Sequence, residues 1–445
     1  METLTQLNGP SGSPAPSSAA GQRWVMLDRF SNRRAESSAT VDGNTMVACR
    51  TSTGWPINVS FNFTAAPASS LVYFDWVGVA PVEDDRFHRP QVIAAHGDYI
   101  LLEMMVPHSS SVKRSAIDSS DITIDHFLYE TGAAAGRPPS MSMLPCCKIP
   151  KLFEHCGGPS RLYRRRRMGM NDTGLLRLSD DELLIAQLKV ARDEPYDIAD
   201  LYVLRVGHEW ELKQAVPVVV VRDDEGSKGD EASSRWWDMD AVFSIGDRFL
   251  CWVNYNSGFL ILCDMAADQE AIPKLWRVSL PAEAVLDTDD DDQTCMQQSR
   301  NMGAAGPRAV RFVSIDPRCC CGAPGTSTCA QGRFAFRVTT WTLAISTDQL
   351  VAMTWVKDNV LDCYELWALP SYKGLPRVYP EYPTVSLDNP DIICFVIKDD
   401  NFVRYEDWKV WVVEVDMRSK SLLSASRCST DRSMGSCPLS AKLQW

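Results

Sequence analysis

Short apolar runs bounded by Asp, Gly and Pro recur along the chain, and their period is that of strands rather than helices. Residues 57–63 alternate apolar and polar strictly, as a half-covered strand does. Residues 71–76 repeat the pattern and end in a turn rich in Gly and Pro, and residues 24–28 open the patterned part of the chain as a strand. A loose repeat follows, in which a polar turn leads into an apolar run and then into a strand carrying aromatics. Residues 97–102 precede 125–130, and 180–186 precede 200–205 and then 210–212. Residues 246–252 precede 258–264 and 275–278, 332–338 lead to 341–343, and 391–396 precede 409–416.

This order predicts three- or four-stranded antiparallel meanders. One meander cannot bury both of its faces, whereas five or six set radially can, which makes an all-β, β-propeller-like array with few short helices. A β-sandwich of unrelated hairpins is the competing layout, since the repeats are irregularly spaced. Helical signal is confined to residues 265–272 and 362–369, each long enough for one short helix. Residues 1–21 are dominated by Gly, Ser, Pro and Ala and read as a disordered tail, with 22–445 as a single propeller-like domain. Loop insertions are expected near 131–137, 223–234 and 287–306, each polar or glycine-rich.

Composition sharpens this picture in three places. Fourteen Trp residues in 445 favour pleated sheet, where large rigid rings pack well. A net charge of -12 argues against general binding to nucleic acid or to anionic membrane. Fifteen cysteines, several inside apolar runs (Cys251, Cys263 and Cys394), suit buried reduced thiols better than a disulfide framework. With no basic and apolar leader at residues 1–21 and no apolar run of bilayer length, the expectation is a soluble protein of the cytoplasm or nucleus.

The chain carries no nucleotide-binding glycine loop, no His-Glu-x-x-His helix and no Gly-x-Ser-x-Gly elbow. His88, His96, His108, His126, His155 and His208 stand apart in sequence and read as surface or capping residues. Zinc needs four tetrahedral thiolates or imidazoles from paired knuckles. Cys319, Cys321 and Cys329 are the nearest approach, beside Cys320, with a second group at Cys146, Cys147, His155 and Cys156. Adjacent cysteines point in different directions, so free thiols in a loop compete with the zinc reading. Arg164, Arg165, Arg166 and Arg167 form a basic run, either a phosphate or import patch or solvated charge. Asp287 and residues 289–292 form an acidic run without the Gly and Glu of a calcium loop.

Several longer phrases resemble a plant family, expanded in grasses, described as domain of unknown function 1618. They are residues 172–177, 252–260, 308–322, 339–343, 353–356 and 365–370, and the likeness is densest over 173–369. The resemblance implies a plant source and supplies no catalytic residue, metal or cofactor. The expected role is a protein-interaction module with protein partners; an enzyme of hydrolase type, with scattered carboxylates in a central channel, is the alternative.

Overall fold

The computed structural model describes residues 23–33, 43–78, 88–107, 122–133, 136–150, 163–190, 198–221, 238–267, 273–285, 296–319, 334–345, 353–399, 409–427 and 438–445. Among these the strands gather into six blades, with one α-helix.

The first blade draws on β1 (Arg23–Leu27), β2 (Asn32–Arg33), β3 (Val47–Arg50), β4 (Pro56–Asn62) and β5 (Ser69–Trp76). The second is β6 (Gln91–His96), β7 (Tyr99–Pro107), β8 (Ile122–Glu130) and β9 (Ser140–Met143). A small hairpin, β10 (Lys148–Pro150) with β11 (Tyr163–Arg165), precedes the third. The third blade is β12 (Thr173–Arg177), β13 (Leu183–Val190), β14 (Ile198–Arg205) and β15 (Trp210–Val221). The fourth is β16 (Ala241–Ile245), β17 (Phe249–Asn254), β18 (Phe259–Asp264) and β19 (Leu275–Ser279). The fifth is β20 (Arg300–Ala304), β21 (Ala309–Pro317), β22 (Phe336–Ala344) and β23 (Trp355–Asp362), followed by α1 (Cys363–Trp367). The sixth is β24 (Glu381–Val385), β25 (Ile392–Asp399), β26 (Lys409–Asp416) and β27 (Ser421–Arg427). The last strand, β28 (Leu439–Leu443), returns to the first blade and pairs antiparallel with β1, Arg23 opposite Leu443. The first blade therefore runs β28-β1-β5-β4-β3, with β2 also on β5, and β1 touches β5 through only two parallel pairs.

The fold is the all-β propeller that the meanders predict, with six blades. Its middle strands explain their own sequences. All six residues of β17 (FLCWVN) are buried, because blades cover it on both sides. Leu250 and Trp252 pack with the third blade's Leu184 and Val203, whereas Phe249, Cys251 and Val253 pack with the fifth blade's Phe312 and Trp341. A strand covered on both faces reads as a continuous apolar run instead of an alternation. Towards the axis the blades converge and need small residues. A Cβ on Gly174 of β12 would lie 2.8 Å from Leu250 and 2.9 Å from Val242.

At the rim, the third and fourth blades fuse into one eight-stranded sheet. The far half of β15 leaves β14 and runs parallel to β19, Val218 opposite Leu275. Shortly before the switch the β14–β15 register shifts at Ala215, which is left-handed at φ 51 and donates its N–H to Asp200 Oδ1 at 3.1 Å.

Three expectations need correction or limiting. The insertion placed at 287–306 ends earlier, because Arg300–Ala304 is the innermost strand of the fifth blade. Arg300 is tolerated there, fully buried, because Asp316 pairs with it at 2.8 Å and the Ala284 carbonyl accepts its Nε–H. The described part of 265–272, up to residue 267, is a turn rather than a helix. The segment 362–369 does hold α1, capped reciprocally by Asp362 and Glu365. The described part of 131–137, residues 131–133 and 136–137, lies between β8 and β9, and Gly132 there takes φ 71. The tail 1–21 and the insertion 223–234 lie outside the described residues.

Candidate functional site

The inner strands surround a channel of about 560 Å³ to which every blade contributes. Arg29, Tyr255, Gln297 and Pro438 stand at the end where these strands begin. His96, Arg177, Asp180, Asp247 and Lys442 stand at the end where they finish. The turns after the inner strands repeat a Gly–Asp pair, Gly97-Asp98 and Gly246-Asp247, which brings carboxylates to one mouth.

At that mouth His96 is a connector. Its Nδ1 accepts the backbone N–H of Arg177 at 3.1 Å, which places the ring proton on Nε2. A second bond runs to the backbone of Gly246, so one imidazole joins the second, third and fourth blades. Burial pushes its pKa down to about 4, and the ring is neutral at pH 7. Arg177 lies between Asp98 and Asp180, at 2.9 Å from each. Burial raises the Asp98 carboxyl above its ordinary range, against the pull of Arg177. Lys442 faces Asp388 at 3.4 Å. At the opposite end burial likewise raises Asp240, whose carboxylate accepts the N–H of Tyr255 at 2.6 Å. This arrangement is a set of mutually bonded charges around a bore, with His96 held neutral and committed at both nitrogens.

The basic run does not gather at the channel. Arg164 and Arg165 belong to β11. Arg166 bonds Gln187 and stacks over the Tyr202 ring, 4.3 Å from its centroid. Arg167 grips Glu103 with two donors, Nε at 2.9 Å and Nη2 at 2.5 Å. His126 Nε2 lies 3.5 Å from the same carboxylate, whose side chain is 4% exposed. Burial pushes Glu103 up, but its bonds to His126 and Arg167 win and hold it below the ordinary range. His88, His96 and His126 each satisfy a backbone group, the capping half of the expectation, but His88 and His126 are buried rather than at the surface.

Cys319 is described and half-buried, whereas Cys321 and Cys329 lie outside the described residues, as do His155 and Cys156. Among the described residues no group of three or more His, Cys, Asp or Glu is placed to hold a metal ion. Burial lifts the thiol of Cys147 to about 11 and that of Cys263 to about 12. Both are poor nucleophiles at neutral pH. No described helix is long and apolar enough to cross a membrane.

One surface feature stands out at the rim between the fifth and sixth blades. Phe334 and Tyr364 are each 42% exposed. Arg318 lies against one of them: its guanidinium carbon is 5.0 Å from the Tyr364 ring centroid, and its backbone N–H bonds the carbonyl of Ala335, the residue after Phe334. Asp362 pairs with this arginine at 2.8 Å. Beneath, Trp367 meets Tyr364 edge-on at 5.5 Å and Phe336 at 5.8 Å. Sequence reading missed this cluster because its members lie in separate segments, joined only by the packing of α1.

Residues 252–394 match the family model described as a protein of unknown function, DUF1618. No curated protein matches the chain. Among solved structures, the WD40 domain of SCAP from fission yeast aligns at 10% identity and a TM-score of 0.32, over 86% of this chain and 77% of that one. The periplasmic gluconolactonase PpgL of Pseudomonas aeruginosa aligns at 12% identity and a TM-score of 0.29, over 88% and 96%. The mannose phosphorylase MPT-4 of Leishmania mexicana aligns at 12% identity and a TM-score of 0.19, over 76% and 93%.

Proposed function

We propose that this chain is a protein-interaction module of plant origin, a rigid six-bladed scaffold that recognises a protein partner. The observation that carries this reading is the exposure of Phe334 and Tyr364, the latter under Arg318, inside the family-matched segment. Exposed aromatic rings beside an arginine are the residue types that dominate binding energy at protein interfaces, and Arg318 and the buried Trp367 hold Tyr364 in place. The ionisable groups of the channel mouth support the same reading, since Arg177, Asp98, Asp180 and His96 are bonded to one another or to backbone.

The test is affinity purification of the tagged chain from plant tissue, compared with a Phe334→Ser/Tyr364→Ser double variant of unchanged melting temperature. Proteins that co-purify with the wild type and disappear with the variant are the expected result. An identical set from both would remove the rim as the recognition surface. The hydrolase reading rests on one observation, that His96, Asp180 and Asp247 line a single cavity. Turnover of an ester or lactone panel that Asp247→Asn abolishes would establish it in place of the binding role.

A further inference from the structure

The hairpin turn between β12 and β13 carries a group that neither the rim nor the channel's bonded charges use. Ser179, Asp180 and Asp181 are three consecutive exposed residues there, and Glu182 follows them. The turn is tied at its base: the N–H groups of Leu178 and Ser179 donate to the Glu182 carbonyl at 2.9 and 3.4 Å, and Arg177 Nε donates to the Ser179 carbonyl at 3.2 Å. The Ser179 hydroxyl takes no part in this and makes no hydrogen bond among the described residues. The Asp180 side chain is 96% exposed, and Asp181 has no ion pair among the described residues. A free hydroxyl is thus presented to solvent with carboxylates at the next three positions. No other described Ser or Thr is followed by three acidic residues. The nearest cation before it, Arg177, is bonded to Asp98 and Asp180.

We propose that Ser179 is a phosphorylation site for an acidophilic serine/threonine protein kinase. The substrate groove of such a kinase is basic, and Asp180, Asp181 and Glu182 supply the carboxylates that pair with its Lys and Arg. A kinase that reads arginines before the serine meets only Arg177, which is already paired. In the transfer, Ser179 Oγ attacks the γ-phosphorus of magnesium-bound ATP and an O–P bond forms. The bond from that phosphorus to the β–γ bridging oxygen breaks, ADP leaves with the electron pair, and the hydroxyl proton passes to the kinase's catalytic carboxylate. The product carries about -1.5 to -2 charges at the channel mouth, which Ser179 lines together with Asp180 and Asp247. Arg177 is the cation at hand, since it already bonds the Ser179 carbonyl. Its bond to exposed Asp180 is a surface pair of small worth and is the one to exchange for the phosphate, while its other nitrogen stays on the buried Asp98.

The experiment is incubation of the folded full chain with magnesium-ATP and casein kinase II, an acidophilic enzyme, with the arginine-reading protein kinase A as control. Phosphate is located by tandem mass spectrometry, because Thr288, outside the described residues, is also followed by three acidic residues, 289–291. The expected result is phosphate on Ser179 with the acidophilic kinase, absent from Ser179→Ala and at least about tenfold slower with protein kinase A. Asp180→Asn/Asp181→Asn should slow transfer to Ser179 by about tenfold or more. Should that variant fail to fold, Asp181→Asn alone, which breaks no ion pair among the described residues, should slow it by about threefold or more. Three results overturn the proposal: no phosphate on Ser179, including phosphate confined to Thr288; equal rates with the two kinases; or an unchanged rate in a folded Asp181 variant. Phe334 and Tyr364 take no part in any of these steps, so failure here leaves the interaction reading standing.

Discussion

The indole N–H of Trp24 donates to the hydroxyl of Ser440 at 2.8 Å, across 416 residues of sequence. Ser440 in turn donates to the carbonyl of Val385 at 3.3 Å, so one hydroxyl touches the first strand, the last strand and the sixth blade. Trp24 and Met26 pack on that blade against Cys394, Val396 and Val412, while Val25 and Leu27 face the first blade's core. The ring is closed by this two-stranded seam.

Closure predicts a graded response. Ser440→Ala removes both of these half-buried hydrogen bonds and should destabilise by about 1–2 kcal/mol in urea unfolding. Deleting residues 438–445 removes β28, uncovers the edge of β1 and should abolish the cooperative transition. A truncated chain that still melts in one sharp step would show that β28 does not close the ring.

His96 predicts a pH dependence. Its pKa is about 4 folded against 6.5 for an ordinary histidine. Between these values the unfolded chain binds a proton that the native chain does not, so stability falls as pH drops from 6.5 towards 4 and is flat in this group above 6.5. His96→Asn keeps an acceptor for the Arg177 N–H and cannot titrate. The variant should lose part of the decline between pH 6.5 and 4.5 in urea midpoints measured beside wild type. Parallel curves would place the titration elsewhere.

Ala215 predicts a backbone effect. At φ 51 a side chain beyond the β-carbon is disfavoured, and a β-branched one most of all. Ala215→Gly should be at least as stable as wild type, and Ala215→Val less stable by about 1–2 kcal/mol. Equal urea midpoints for wild type and Ala215→Val would mean that residue 215 is not held in the left-handed conformation.

How much of this was legible follows from where each strand sits. Residues of β17 and β18 read as strands because neighbouring blades cover both of their faces with apolar side chains. The inner strands did not. β20 is RNMGA, a sequence that resembles a loop, because close to the axis Gly303 must accept Val385 and Arg300 is buried only by virtue of Asp316. The channel mouth was hidden for a related reason. His96 and Arg177 are 81 residues apart, and each looks ordinary until two inner strands stand side by side. The Gly–Asp turns were visible in the sequence, but nothing in one chain states that several such turns share a mouth.

The arginine run predicts a division of labour among its members. Arg167 is bound to Glu103, a nearly buried carboxylate, whereas Arg164 and Arg165 belong to the β11 hairpin strand. Removing Arg167 leaves Glu103 with His126 and without its guanidinium partner, and an uncompensated buried charge is strongly unfavourable. Arg167→Ala should therefore destabilise by about 2–3 kcal/mol, below the full range for a buried pair because the arginine is itself half-exposed. Adding Glu103→Gln to Arg167→Ala should recover part of that loss, since the neutral amide needs no counter-charge. Arg164→Ser/Arg165→Ser should leave the urea midpoint within about 0.5 kcal/mol of wild type. Replacing all four arginines would confound addressing with folding, because Arg167 is bonded to Glu103. The double Arg164/Arg165 variant, followed as a fluorescent fusion, separates them. Unchanged distribution in the cell is expected of solvated charge, and loss of nuclear signal from a folded variant would mark the run as an import sequence. Were Arg167→Ala to cost nothing, Glu103 would be satisfied by His126 alone and the arginine would be free for a ligand.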